Sequence, residues 1–211
     1  MTENVYKAPL REMPLGELVW VRSARRPERV AEFPFKGSAP YIDIKALETA
    51  SPSRYAEGAG LIISERDLVM VKDGHRSGKV FRAMEGIAAS TLVVLSPDSN
   101  EVLLDYIYCY LTYCYEDLQR KKKGAFINHL DIQYLKHLMI PVLSFSKQRV
   151  IAEKYQRIES LTCETKEKTL RLKELSNVLG SKDLKIESEN LNLQVEMIQK
   201  AWLHQIFNKP L

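Results

Sequence analysis

Asp73-Gly74-His75-Arg76-Ser77-Gly78-Lys79 has the residue types of a phosphate-cradling loop, with two glycines and several cations around a hydroxyl. It lacks the first glycine of a Walker loop. It also leads into Val80-Phe81, a strand-like pair, where such a loop needs a helix N-terminus. We therefore reject it as a nucleotide site. Carboxylates fare no better. Pro97-Asp98 has the look of a nuclease acid, but the nearest Glu-x-Lys, Glu164-Thr165-Lys166, lies far along the chain in a helical stretch. Glu101 and Asp105 stand i,i+4 at the start of a helix, where attraction of acids to the helix N-terminus accounts for them. Nucleophile-elbow, dinucleotide-fold and EF-hand patterns are missing. The three cysteines (Cys109, Cys114, Cys163) are an odd number, which fits free thiols better than a disulfide framework. No Cys-x-x-Cys occurs, and the four histidines (His75, His129, His137, His204) are scattered, so no metal site is assigned. No residue is assigned a catalytic role.

What remains is charge. The chain of 211 residues carries 31 Lys and Arg against 27 Asp and Glu, a net +4. Residues 1–147 contribute 20 cations and 18 acids, and residues 148–211 contribute 11 and 9, so no long segment is strongly basic. Three local clusters are. Arg22, Arg25, Arg26 and Arg29 lie in a loop containing Ser and Pro, with Glu28 as the one acid among them. Lys72, His75, Arg76, Lys79 and Arg82 surround the glycine-rich turn, and Arg120-Lys121-Lys122-Lys123 precedes Gly124. Three such loops in one domain are the footprint of a surface for a polyanion. Arginine suits bidentate contact with guanine edges, and lysine suits phosphate as a point charge.

The elements that must position these loops follow from the distribution of turn residues. Every glycine but Gly180 and every proline but Pro210 lies before residue 142. In that part, Leu61-Ile-Ile, Leu68–Lys72, Lys79–Arg82 and Ser90–Leu95 are short β-branched runs bounded by Gly, Pro, Ser and Asp, and they read as strands. Leu103, Leu104, Ile107, Tyr108, Leu111 and Tyr115 recur at helical spacing, predicting a buried helix over 102–119, and a short helix begins at Leu130-Asp131. The fold class is α+β: a globular domain of mixed strands and short helices over 1–146, then a long coiled-coil-type helical region over 147–211.

Within the helical region Ile151, Ile158, Leu161, Leu172, Leu175 and Leu179 fall on a heptad seam, with Thr165 and Lys168 on the missing rungs. Gly180-Ser181 interrupts it, and beyond that point Leu184, Leu191, Val195, Ile198 and Trp202 form a second seam. The five-residue step from Leu179 to Leu184 fits neither seam step. Either the helix breaks at Gly180 or the coiled coil changes partner there. Such a stripe must be covered by another helix, from a second copy, a partner, or this chain folded back at Gly180. Use of Ile151, Ile158, Leu161, Leu172, Leu175, Leu179, Leu191, Val195, Ile198 and Trp202 in an intermolecular contact is the preferred reading. No apolar run approaches the roughly 20 residues that cross a bilayer, and the first residues have no apolar core of a signal peptide. A cytoplasmic protein without a membrane partner is expected.

The order of the segments is more specific than any one of them. Leu15-Gly-Glu-Leu-Val is followed by Tyr41-Ile-Asp-Ile-Lys-Ala-Leu and Asp67-Leu-Val-Met-Val-Lys-Asp-Gly-His-Arg-Ser-Gly-Lys-Val. Then come the Tyr- and Leu-rich stretch over 104–118, Gly124-Ala-Phe-Ile-Asn-His-Leu, Leu135-Lys-His-Leu-Met-Ile-Pro-Val and, before the long helix, Gln148. Met197-Ile-Gln-Lys-Ala-Trp-Leu-His-Gln-Ile-Phe closes the helical region. This succession resembles the DNA specificity subunit of Type I restriction–modification systems, in which a target-recognition domain is followed by a helix that acts as spacer. The chain departs from that pattern at Leu143-Ser-Phe-Ser-Lys147, where the family has a Pro-Pro pair and an acid. It departs again in number, with one recognition domain and one helical region where the usual subunit has two of each.

The resemblance implies a non-catalytic subunit reading a half-site of a bipartite double-stranded DNA target, and a homodimer through the C-terminal helix. It implies methyltransferase partners that carry S-adenosylmethionine, with a restriction subunit as a further partner and no cofactor on this chain; Asn208-Lys209-Pro210-Leu211 is not the Asn-Pro-Pro motif of a methyltransferase. By the same resemblance the loops with Arg22 to Arg29, Lys72 to Arg82 and Lys121 to Lys123 face DNA. Gly74 and Gly78 would serve backbone conformation there. The alternative is a protein-interaction or anti-restriction module that mimics such a subunit without reading DNA.

Overall fold

A computed structural model describes residues 11–120, 129–180 and 182–207. The chain runs β1 (Arg11–Pro14), α1 (Leu15–Leu18), β2 (Val19–Ser23), β3 (Arg29–Ala31), β4 (Ala39–Ile42), α2 (Ile44–Thr49), β5 (Tyr55–Glu57), β6 (Ile62–Ile63) and β7 (Leu68–Val71). It continues through β8 (Val80–Arg82), β9 (Gly86–Ala88), β10 (Leu92–Pro97), α3 (Leu104–Tyr113), α4 (Tyr115–Arg120), α5 (Ile132–Lys136) and β11 (Met139–Val142). Two long helices follow, α6 (Phe145–Leu179) and α7 (Lys182–Phe207). The chain divides into two compact units, one ending at Gln148 and one starting at Arg149.

The runs read as strands from their β-branched residues form the centre of the first unit. Leu68–Val71 and Leu92–Leu95 are buried at every position, so β7 and β10 are covered on both faces. They pair antiparallel in the middle of a four-stranded sheet of order β2-β10-β7-β8. A second sheet, β3-β5-β4-β9-β6, contains one parallel pair, β4 with β9. Val69, Val71, Leu92 and Val94 share one apolar cluster with Ile42, Ile63 and Ala88, so this core lies between the two sheets. Leu68, Met70, Val93 and Leu95 point to the opposite face, as period-two alternation requires, and are as fully buried. A third, two-stranded sheet joins β1 to β11.

Local chemistry sets the short helices. Asp43 caps α2 by accepting from Ala46 N at 2.8 Å, and Asp131 caps α5 by accepting from Gln133 N and Tyr134 N. The buried helix expected over 102–119 is two helices, α3 and α4, interrupted at Cys114. Its apolar spacing persists across the interruption, so periodicity alone does not register the break. At the end of the first unit Gln148 is fully buried. Its Oε1 accepts from Leu103 N at 2.7 Å, and its Nε2 donates to Glu101 O at 2.9 Å and Leu143 O at 2.7 Å.

The second unit takes the fold-back at Gly180 that the sequence left open beside an intermolecular use of the stripe. Gly180 adopts a left-handed φ of +63° and ends α6. The two helices then meet within the same chain. Tyr155 stacks on Trp202 with ring centroids 5.9 Å apart, Gln199 donates to the Tyr155 hydroxyl at 2.9 Å, and Lys166 lies 3.6 Å from Glu196. Pairing of 155 with 199 and 202, and of 166 with 196, is the register of an antiparallel hairpin. Ile151 is buried, and Ile158, Leu172, Leu191, Val195 and Trp202 are partly buried. Leu161, Leu175, Leu179 and Ile198 of the predicted stripe are exposed. The places of some apolar rungs are taken by small polar residues: Thr169, Ser176 and Ser188 are buried. Their hydroxyls are short enough to sit between two helices, and Thr169 and Ser188 bond to their own helix backbone, at Thr165 O and Lys185 O. A heptad count passes over such residues because they are not apolar. Among the described residues, no helix is long and apolar enough to cross a membrane.

Candidate nucleic-acid interface

The glycine-rich segment is the turn between β7 and β8. Gly74 and Gly78 take φ of +93° and +90°, a region that other residues enter at a cost, so both glycines serve backbone geometry. Gly78 N donates to Val71 O at 2.7 Å and Ser77 N to Gly74 O at 3.1 Å, which makes the turn an ordered one. Gln119 of α4 donates to the Ser77 carbonyl from behind. His75 is exposed at the tip.

The cations of this turn do not stand alone. Arg76 forms an ion pair with Glu48 of α2, and Lys79 lies 3.6 Å from the same carboxylate. Lys79 also sits over the Phe81 ring at 4.9 Å. Arg82 pairs with Asp105 at 3.0 Å and covers the Tyr108 ring at 4.1 Å. Lys72 is 3.7 Å from Asp73, whose other carboxylate oxygen is 2.7 Å from His129 Nδ1. Leu130 N donates to Lys72 O at 2.8 Å, so the chain returning through His129 is tied to this turn. Lys121, Lys122 and Lys123 lie outside the described residues.

The first arginine cluster is not one loop. Arg22 is in β2, where it donates to Ser96 Oγ at 2.6 Å and lies 4.0 Å from the buried carboxylate of Asp67. Its Nε is buried without a partner, while 40% of its side chain remains exposed, so Arg22 is tied to Ser96 and Asp67 at the edge of the solvent. Arg29 is in β3, 4.1 Å over the ring of Phe35 and 3.9 Å from Glu57. Arg25 and Arg26, in the connection between these strands, are exposed.

Two residues that cluster counting passes over join the groups. Arg54 pairs with Asp43 and lies 5.0 Å over the Tyr41 ring. Burial raises the Tyr41 phenol above its ordinary value, with Arg54 and Arg26 opposing, so the phenol keeps its proton at neutral pH. Glu48 is the second. Asp43 and Glu48 lie at the two ends of α2, about 7.5 Å apart along the helix axis. One end gathers Arg54 and Arg26 around Tyr41, and the other gathers Arg76 and Lys79. Arg54 is a lone cation in Ser51-Pro52-Ser53-Arg54, so only its capping partner, 11 residues away, gives it meaning. Ion pairs this exposed are worth about 0–1 kcal/mol each, and phosphate can displace them at little cost.

These features define a mixed α+β recognition unit that bears cation-lined loops and is followed by a helical pair. The chain belongs to the Type I restriction modification DNA specificity domain family, whose model matches residues 9–175. It is 23% identical over 190 residues to the Type I restriction enzyme MjaVIII specificity subunit of Methanocaldococcus jannaschii, covering 89% of this chain and 38% of that protein. Two solved structures share the fold. The Type I restriction–modification S subunit from M. genitalium has a TM-score of 0.57 at 18% identity, covering 82% of this chain and 44% of that one. The HsdS subunit from Thermoanaerobacter tengcongensis has a TM-score of 0.60 at 16% identity, covering 98% and 47%. The chain thus spans less than half the length of each of these relatives.

Proposed function

We propose that this chain reads one half-site of a bipartite double-stranded DNA target and leaves methyl transfer to docked methyltransferase subunits. The observation that carries this reading is the arrangement around α2, in a chain that belongs to the DNA specificity family. Two cation groups from separate loops converge on the two ends of one short helix, each held by a carboxylate that phosphate can replace. Arg25, Arg26, Arg29, Arg54, Arg76 and Lys79 are the candidate contacts; His75, at the exposed tip of the turn, is the candidate for a base edge.

The helical hairpin serves as spacer and pairing device. Leu161, Leu175, Leu179 and Ile198, with Leu193 and Met197, leave apolar surface uncovered on it. A second copy related by two-fold symmetry would cover that surface and favour a palindromic bipartite target. The methyltransferase, and with it a restriction subunit, would join that assembly and bring S-adenosylmethionine.

Binding to duplex DNA at several salt concentrations tests the reading. Arg76→Ala and Lys79→Ala each take one cation away from a phosphate, and each should lower the slope of log K against log salt by roughly 0.9. Binding indifferent to salt refutes it. Mass measurement of the chain, alone and with a methyltransferase, tests the pairing; a monomer that recruits no enzyme refutes that part.

A further inference from the structure

Phe33 exposes 77% of its surface on the connection between β3 and β4, and it is not on a loose coil. Phe35 N donates to Ser38 Oγ at 2.9 Å, and the Ser38 hydroxyl donates back to Phe35 O at 2.7 Å. Gly37 closes the turn with a φ of +82°, and Arg29 clamps the Phe35 ring from above. Pro34 follows Phe33 and biases its backbone toward the extended region. The ring therefore stands exposed beside an ordered turn and forgoes the stabilisation of burial. Its sequence neighbours are charged: Arg29 lies in β3 and Lys36 on the connection itself, Arg25 and Arg26 precede them, and Glu28 and Glu32 are the acids in the segment, with Glu57 of β5 beside Arg29. One ring among cations matches a base step flanked by phosphates.

We infer that Phe33 is an apolar wedge that enters a DNA duplex against its bases and unstacks one step while the neighbouring arginines hold the phosphates. This rests on the DNA-reading function proposed above.

The test begins with selection of duplexes from a randomised pool by the full chain. The fluorescent base 2-aminopurine is then placed at successive adenine positions of the selected duplex. Wild type should raise the fluorescence at one step. Phe33→Ala should abolish that rise and weaken binding roughly 5- to 150-fold, the range for losing one base–aromatic stack. Its salt slope should be unchanged, because every cation that meets a phosphate is still present. Phe33→Trp should restore both signals. Phe33→Ala binding within about twofold of wild type, with the fluorescence rise intact, overturns the wedge and leaves the DNA reading standing. A fall in salt slope equal to that of Arg29→Ala also overturns it, assigning Phe33 to support of the cations. If wild type selects no sequence, the DNA reading itself fails and the wedge with it.

Discussion

Replacing Gln148 with methionine removes all three side-chain hydrogen bonds at the end of the recognition unit and leaves the side-chain length nearly unchanged. The glutamine is fully buried, and its partners are backbone groups: the N–H of Leu103 and the carbonyls of Glu101 and Leu143. A hydrogen bond of this kind contributes about 1 kcal/mol net, and a buried group left unpaired costs about 1–3 kcal/mol. Glu101 and Leu103 are only partly buried, so water can reach part of the vacated backbone and the lower figures apply. The expected loss is about 3 kcal/mol, a large share of the 5–15 kcal/mol typical of a domain. Urea unfolding measures it. Trp20 lies in the first unit and Trp202 in the second, and these are the two tryptophans of the chain. In a Trp202→Phe background the fluorescence transition therefore reports the recognition unit. Its midpoint should fall by about 1–2 M urea for a slope of about 1.5–3 kcal/mol per M. Gln148→Glu should cost more, because a carboxylate would face two carbonyls that need a donor. A loss below about 1 kcal/mol for methionine would refute the reasoning, since the three bonds would then be replaced by solvent at no cost.

Glu48→Gln should release Arg76 and Lys79 and raise affinity for arbitrary duplex DNA by up to about fivefold, with under about 1 kcal/mol lost in stability; fluorescence anisotropy and urea unfolding read the two effects. Gly86→Ala should prevent stable folding or cost more than about 3 kcal/mol, because a Cβ there meets the Pro40 carbonyl oxygen and lies 2.9 Å from Ile42 Cγ1, at a φ of +155°. Thermal unfolding checks it. Alkaline pH should destabilise the recognition unit. Burial pushes the Cys114 thiol up to about 12, with its hydrogen bond to Tyr110 opposing, and burial likewise raises the Tyr110 phenol. The unfolded thiol ionises near its ordinary 9.0 and the folded one does not, so this stability is complete below about pH 9 and is lost as pH rises toward 12. Urea midpoints at about pH 8 and pH 10.5 should show the fall. Exposed Cys163 should react with a thiol reagent at neutral pH while buried Cys109 and Cys114 wait for unfolding.

Much of the fold was readable from local pattern. The runs Leu68–Val71 of β7 and Leu92–Leu95 of β10 are apolar at every position, which is what strands covered on both faces require. The withdrawal of Gly and Pro after Pro141 marked where helix takes over, and Leu130-Asp131 marked the start of the short helix α5, whose cap by Asp131 the structure supplies. The early strands β1 to β4 were not readable: they are three to five residues long, mix polar with apolar positions, and depend on distant partners such as β11 for β1. Grouping of the interface residues was only half legible. The cation clusters could be counted, but Arg22 is tied to Ser96 and Asp67 and Arg54 belongs with the others, because Ser96, Asp67, Asp43 and Tyr41 decide where each guanidinium goes.

By itself the sequence determined the class of each half: an α+β unit with cation-rich turns, then helix with an apolar stripe and a glycine at its weak point. These properties are carried by residue type and short-range period. Only the tertiary structure decided which partner each group takes. A heptad stripe is covered equally well by a second molecule or by its own chain, and the five-residue step beside Gly180 is silent on the choice. The contacts from Tyr155 to Trp202 and from Lys166 to Glu196 place part of that stripe inside a hairpin and leave the rest in water. The same holds for Gln148, whose partner Leu103 is 45 residues away. No local pattern encodes a pairing made across that distance, because it exists only once the intervening strands and helices have packed.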